Sequence, residues 1–253
     1  MAEKKIAEIE IVKNRLPQLA DAPPFVKVER LILRHRYTDG TSSRPYHFDM
    51  VTLPHFADAV AVVVYHVDKK REIWVGVRES IRPSIYLRKL DPYKKMLDKK
   101  EYLTYLEIVA GGIEHEDLKP GGIGIDGRAA LEVLEEAGFE VNASDMENLG
   151  GGVFSSPGSG KEKIHFRAVQ VDPKKQKNPK GDGHPLEEAG HFMFMHIREL
   201  IEKCEKGDIE DSKTEIGARR LAARLGYIVE LGMWADELPY HFGERLLEFK
   251  TGS

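Results

Sequence analysis

Three glutamates fall within five positions at Glu132, Glu135 and Glu136, in the run Ala129-Ala130-Leu131-Glu132-Val133-Leu134-Glu135-Glu136-Ala137-Gly138-Phe139. In a helix they are related by i, i+3 and i+4, so Glu132 faces both of the others. On a solvated face such like-charge pairs cost only about 0.2–0.5 kcal/mol each, and the cluster is then an ordinary acidic surface. In a shielded cleft, at an effective dielectric of about 20, each close pair costs about 3 kcal/mol and calls for a counter-charge. A hard divalent cation supplies one, because Mg²⁺ takes oxygen ligands and shares its remaining positions with substrate phosphates. The spacing alone leaves both the solvated face and the metal face open.

The elements that must position these carboxylates can be read around them. Upstream, Tyr105-Leu106-Glu107-Ile108-Val109-Ala110 is an apolar strand that ends at Gly111-Gly112, where the missing side chains let the Ala110 carbonyl approach whatever the glutamates hold. A Gly-rich loop over 120–127 then leads into the helix. Ala130, Val133, Leu134 and Ala137 are expected to form its core-facing stripe, and Gly138 to end it in a left-handed conformation.

The remainder of the chain alternates strands and helices. Residues 26–36 and 45–53 read as two strands around an Asp39-Gly40 turn, an N-terminal β extension. Valine-rich and aromatic runs at 59–67 and 72–78 are expected as central strands, with later strands in KIHFRAVQV and HFMFMHI and a loop over 172–185 between them. The apolar spacing from Lys213 to Trp234 predicts one long helix. Intermixed elements of this kind predict an α/β sandwich.

Composition narrows the function classes. With 253 residues, 41% hydrophobic and 32% charged, the chain can bury a substantial core. A net charge of −4 gives no general attraction to nucleic acid or to anionic membrane, so an anionic ligand needs a local site or a metal bridge. The single cysteine, Cys204, excludes an internal disulfide and a Cys-rich zinc ribbon. The charged start and the lack of any run of about 18 apolar residues predict a cytoplasmic protein without a membrane span.

From Gly111, with Asp117 after five residues, and again over Leu131–Phe139, the chain resembles the Nudix hydrolase family. That family's box runs Gly, five residues, Glu, seven residues, Arg-Glu, a bulky aliphatic, any residue, Glu-Glu, any residue, Gly and a bulky aliphatic. Two departures stand out. Asp117 and Leu131 are separated by thirteen residues rather than seven, an insertion that includes Pro120-Gly121-Gly122 and that a surface loop tolerates cheaply. Leu131 stands at the family's arginine, and Arg128, one turn before Glu132, is either its substitute or an exposed arginine beside the loop.

Over about residues 25–235 the chain looks most like the ADP-ribose and nucleoside-diphosphate-sugar pyrophosphatases. The features are the β extension, which in that subfamily helps build a dimer, and Arg82-Pro83, matching a segment whose arginine contacts substrate. Ser156-Pro157-Gly158 with Glu162, and Asp208-Ile209-Glu210-Asp211 before a long helix, also match. Each has an ordinary alternative: a surface arginine, a turn, and a charge bias at a helix start.

The resemblance implies a Nudix α/β/α sandwich with a mixed central sheet. Residues 1–55 would form an N-terminal helix and β extension, and 56–253 the hydrolase domain with its C-terminal helix. It implies Mg²⁺, with Mn²⁺ as the alternative, held by the Ala110 carbonyl, Glu132, Glu135 and Glu136. Arg82, Ser156, Pro157, Gly158 and Glu162 would contact substrate, and Glu187 or Glu188 in HPLEEAGHF would be the base, with Glu187 preferred. The implied reaction is hydrolysis of a nucleoside diphosphate sugar, ADP-ribose favoured, to a nucleoside monophosphate and a sugar phosphate, by a homodimer. UDP-glucose, GDP-mannose or a dinucleotide are the alternative substrates, and a non-catalytic nucleotide-sugar sensor is the alternative function.

Two other motifs fail. Gly158-Ser159-Gly160-Lys161 is not a P-loop, because Glu162 follows the lysine and a strand comes next. No H-E-x-x-H spacing occurs among the ten histidines, and a lone histidine such as His191 is more often structural.

Overall fold

The computed structural model describes residues 25–179 and 190–239. The N-terminal helix expected before residue 25 and the two loop glutamates Glu187 and Glu188 lie outside them. The first two strands, β1 (Lys27–Leu33) and β2 (Tyr46–Thr52), pair antiparallel as a ribbon of their own, with Asp39-Gly40 in the connection and Gly40 at φ 86°. Its outer face exposes Val28, Ile32 and Val51.

Among the described residues, one mixed sheet of eight strands carries the rest of the molecule. Its centre is β3 (Phe56–Val67), antiparallel to β4 (Ile73–Ser80) and β6 (Val109–Glu114) and parallel to β9 (Lys163–Gln170). On one side β10 (Phe192–His196) and the short β5 (Tyr105–Glu107) pair with β4, and on the other β7 (Glu147–Asn148) and β8 (Val153–Phe154) pair with β9. Between β4 and β5 lie two short helices, α1 (Pro83–Tyr86) and α2 (Pro92–Leu97).

The two-residue period of β3 divides the core. Val60, Val62 and Val64 point to one face and Ala61, Val63 and Tyr65 to the other, and all six are buried. The first face is covered by α3 (Gly124–Glu132), through Ala129, Val133 and Ala137. The second is covered by α4 (Ile197–Glu205) and α5 (Ser212–Leu225), through Leu200, Ile201, Ala218 and Leu221. This is the predicted α/β class, with helices on both faces of a mixed sheet. No helix among the described residues is long and apolar enough to cross a membrane.

Two expectations are corrected. The helix from Lys213 stops at Leu225 rather than Trp234, because Gly226 takes φ 82° and Gly232 φ 66°, and the chain turns back as the hairpin β11 (Tyr227–Ile228) and β12 (Met233–Trp234). The apolar residues that continue the helical spacing pack instead as hairpin side chains, Tyr227 edge-on to Trp234. On α3 the buried stripe is Ala129, Val133 and Ala137, while Leu134 is 37% exposed. The helix widens to a π-turn over Val133–Ala137, which changes the spacing of its last turn. Gly138 ends it at φ 76° in the left-handed region, as expected.

Candidate functional site

A cleft of about 510 Å³ opens where β6, β4 and α3 meet, and Glu132, Glu135 and Glu136 line it together with Ala110 and Arg82. These five, expected from the sequence as metal and substrate residues, thus line one cleft. Glycine at 111 allows the approach, since a Cβ there would overlap the Glu132 carboxylate. At 112 a Cβ would overlap the ring of Phe56, which forms another wall of the cleft.

Arginines face these acids. Arg78, on β4, is 6% exposed in its side chain and pairs with Glu136, whose other oxygen accepts the Ala110 N–H at 3.2 Å. Arg128, one turn before Glu132, grips Asp117 with Nε–Oδ2 at 2.8 Å and Nη2–Oδ1 at 3.1 Å. It also reaches Glu114 at 3.1 Å and stands 3.9 Å from Glu132. The Asp117 hydrogen bond is the main cause that holds Arg128 above its ordinary pKa, against some opposing burial. Arg128 is thus a built part of this wall, not a loose arginine beside a loop. Asp117 is buried and has a structural job, accepting the Glu114 N–H at 2.9 Å and closing the turn His115–Leu118. Residues 119–123 join that turn to the start of α3 at Gly124.

Arg82 is anchored from behind. Its Nε donates to Glu107 Oε1 at 2.8 Å, and Nη2 pairs with the same oxygen. Glu107 is 2% exposed. Burial pulls the Arg82 guanidinium down, but the Glu107 charge and hydrogen bond outweigh it and leave its pKa raised.

The other substrate expectations lie beside a second cavity of about 300 Å³, which shares Phe56 with the cleft. Ser156 and Glu162 line it; Pro157 and Gly158 form the exposed turn closed by Ser159 N and Gly160 N on Ser156 O, at 3.1 and 2.7 Å. This turn is stitched to the N-terminal ribbon, Val51 N donating to Ser159 O at 2.7 Å. Burial first, and then the charge of Asp58, push the Glu162 carboxyl above its ordinary pKa, with Lys213 opposing. Asp211, from the acidic run before the last helix, caps α5 by accepting Thr214 N at 2.9 Å, while Glu210 binds Lys100 and Tyr102. That is the helix-start role open to it from the sequence.

No protein-family model matches the chain. No curated protein matches it significantly either. The site is therefore read from its own chemistry.

The donors suit a hard cation in type: three carboxylates and a backbone strand residue, all offering oxygen, with neither thiolate nor imidazole among the named lining groups. Among the described residues no group of three or more acidic, histidine or cysteine side chains is drawn together tightly enough to hold a metal ion. Glu136 is paired with Arg78, and Arg128 stands 3.9 Å from Glu132.

The sequence did not single out Arg78, Glu107, Lys213 or Phe56. A signal for Glu107 exists in hindsight: it is a charged residue inside an otherwise apolar strand, in YLEIVAG, where burial demands a partner.

Proposed function

We propose that this protein is a Nudix-type pyrophosphatase that hydrolyses a nucleoside diphosphate sugar with Mg²⁺ or Mn²⁺. The observation that carries this reading is the mixed lining of the cleft, where Glu132, Glu135 and Glu136 stand with Arg78, Arg82 and Arg128. A purely anionic ligand would be repelled by the glutamates and a bare cation by the arginines. A metal-bound pyrophosphate carries both signs and is matched by both sets.

In this reading Ala110, Glu132, Glu135 and Glu136 hold the metal. When bound, it neutralises the phosphates and stabilises charge on the leaving oxygen. Arg82 offers a planar donor fork to a phosphate at the mouth of the cleft. Arg78 restrains Glu136, and Arg128 takes the neutralising part that the family gives to the arginine at the Leu131 position. Phe56, between the two cavities, offers an apolar wall to a base or sugar ring, and Ser156 and Glu162 offer it hydrogen bonds. Deprotonation of the attacking water falls to Glu187 or Glu188. ADP-ribose is the favoured substrate, with UDP-glucose, GDP-mannose and dinucleotides behind it.

The β1–β2 ribbon supports a homodimer. The pair leaves Val28, Ile32 and Val51 exposed for a second copy. Light scattering coupled to size exclusion reads the mass directly.

The deciding experiment is chromatographic product analysis after incubation with Mg²⁺ and, separately, ADP-ribose, UDP-glucose, GDP-mannose and NADH, with Glu136→Gln as control. Metal-dependent release of a nucleoside monophosphate, lost in the variant, supports the enzyme. Tight binding of a nucleotide sugar with no turnover of any of the four would replace it by the sensor reading.

A further inference from the structure

From the wall of the cleft inwards four side chains are linked in a row, Arg82, Glu107, Lys213 and Asp211. Glu107 gives Oε1 to Arg82, and its Oε2 lies 3.3 Å from Lys213 Nζ. The same ammonium donates to Asp211 Oδ1 at 2.7 Å, and Asp211 Oδ2 accepts the Thr214 hydroxyl at 2.6 Å. Thr214 Oγ1 in turn accepts the N–H of Ile108 at 2.9 Å, the residue between β5 and β6. Glu107, Asp211 and Thr214 are buried, and the Lys213 side chain is 19% exposed.

Two cations and two carboxylates make this row neutral. Removing one cation leaves a buried excess negative charge, which protein interiors do not hold without neutralising or expelling it. Lys213 also sits in the first turn of α5, where the helix dipole disfavours a cation. Asp211 and Glu107, both within 3.3 Å of its ammonium, offset that cost. Burial opposes its charge, but Asp211 and then Glu107 outweigh the burial and hold its pKa raised.

From this geometry we infer that Lys213 is a positioning residue: it fixes Glu107, and through Glu107 holds Arg82 in one orientation at the cleft. The inference rests on the proposed function only for its kinetic consequence. The orientation of Arg82 can be read without turnover. A guanidinium that can sample many orientations binds an anion at a cost in ordering, so a pre-set Arg82 lowers KM more than it raises kcat.

The test uses the full chain and the variants Lys213→Met and Lys213→Arg. The readout is the side-chain Nε–H resonance of Arg82 in ¹H–¹⁵N spectra, assigned by its loss in Arg82→Lys. In the wild type it should be shifted and slow to exchange. Lys213→Met should return it to the envelope of exposed arginines, and Lys213→Arg should restore it. With the substrate found above, Lys213→Met should raise KM about 10-fold with kcat within about 3-fold. A folded Lys213→Met protein that keeps the wild-type Arg82 resonance and KM overturns the inference. If Lys213→Met does not fold, Lys213→Gln, which removes the charge and keeps a polar side chain, is read in the same way, with the same two outcomes. If the wild type hydrolyses none of the nucleotide sugars, the proposed function fails, and the Arg82 resonance together with inorganic pyrophosphate titration decides the positioning role by itself.

Discussion

The helices α3 and α5 pack on opposite faces of the same central strand, and both approach the stretch from Glu107 to Ala110, yet they use charge in opposite ways. At the start of α5, Lys213 and Asp211 close on Glu107 and Arg82 in a neutral set, with Thr214 completing the hydrogen bonds. Along α3, Glu132, Glu135 and Glu136 face an open cleft, and their opposite charges come from Arg78 on β4 and from Arg128 one turn earlier on the same helix. Equal numbers of opposite charges, anchored on the buried Glu107 and Asp211, fix a backbone. The same residue types at a solvent-filled cleft leave pairings that a doubly charged ligand can exchange for its own.

The largest expected effect comes from breaking the α3 side. Glu136→Gln should reduce hydrolysis by at least about 100-fold, since it removes charge where the reaction's charge must be balanced. It should also lower stability measurably, because the buried Arg78 loses one of its charged partners. Urea unfolding beside the product assay separates the two. A variant that retains full turnover would remove the glutamates from the mechanism.

Two glycines sharpen the contrast at smaller cost. Gly111→Ala forces aside only the far end of the Glu132 side chain, so activity should fall about 10-fold while the stability change stays within about 1 kcal/mol. Gly217→Ala, on α5, meets Val63 Cγ2 at 2.8 Å and Ile108 Cδ1 at 3.0 Å inside the packed core. Here stability should fall by about 1–3 kcal/mol with turnover little changed. Thermal melts and initial rates on both proteins test the pair. The opposite assignment of effects would mean that the two helices do not divide their roles this way.

The asymmetry also explains what could be read from sequence. The strands of the core were legible because β3 buries both faces and so carries an unbroken valine run, and the carboxylates were legible because i, i+3, i+4 spacing is local. The end of α5 was not, since it turns on left-handed glycines at 226 and 232 set within apolar spacing that suits a helix equally well. The stripe of α3 was misjudged because a π-turn cannot be seen in a period of 3.6 residues. Lys213 was illegible for another reason: its partner Glu107 lies more than a hundred residues away, and only the fold brings them together. Its one local trace is a cation in a helix's first turn, where a carboxylate is favoured.

Cys204 gives a simple check on the α5 side. Burial first, and then the charges of Glu215 and Asp211, push its thiol up to about 12, so the thiolate that reacts is scarce at neutral pH. A thiol reagent should label the native protein slowly and the urea-unfolded protein at once. Fast native labelling would show that the α4–α5 face opens readily.

The smallest effect concerns Glu162, which stands where the two regions meet, lining the second cavity and feeling the charge of Lys213. Burial, followed by Asp58, raises its carboxyl pKa in the folded protein, so the native state binds its proton more tightly than the unfolded chain does. The stability this contributes is present below the ordinary glutamate value and is lost as pH rises through the raised folded value. Glu162→Gln should therefore flatten the stability profile across that window, and the gap between the two proteins should close as pH falls below it. Parallel profiles would mean that Glu162 is solvated in the folded state. Repeating the comparison in Lys213→Met widens the expected gap, because the cation that offsets the burial is gone; no widening would disconnect Glu162 from the charge set around Lys213.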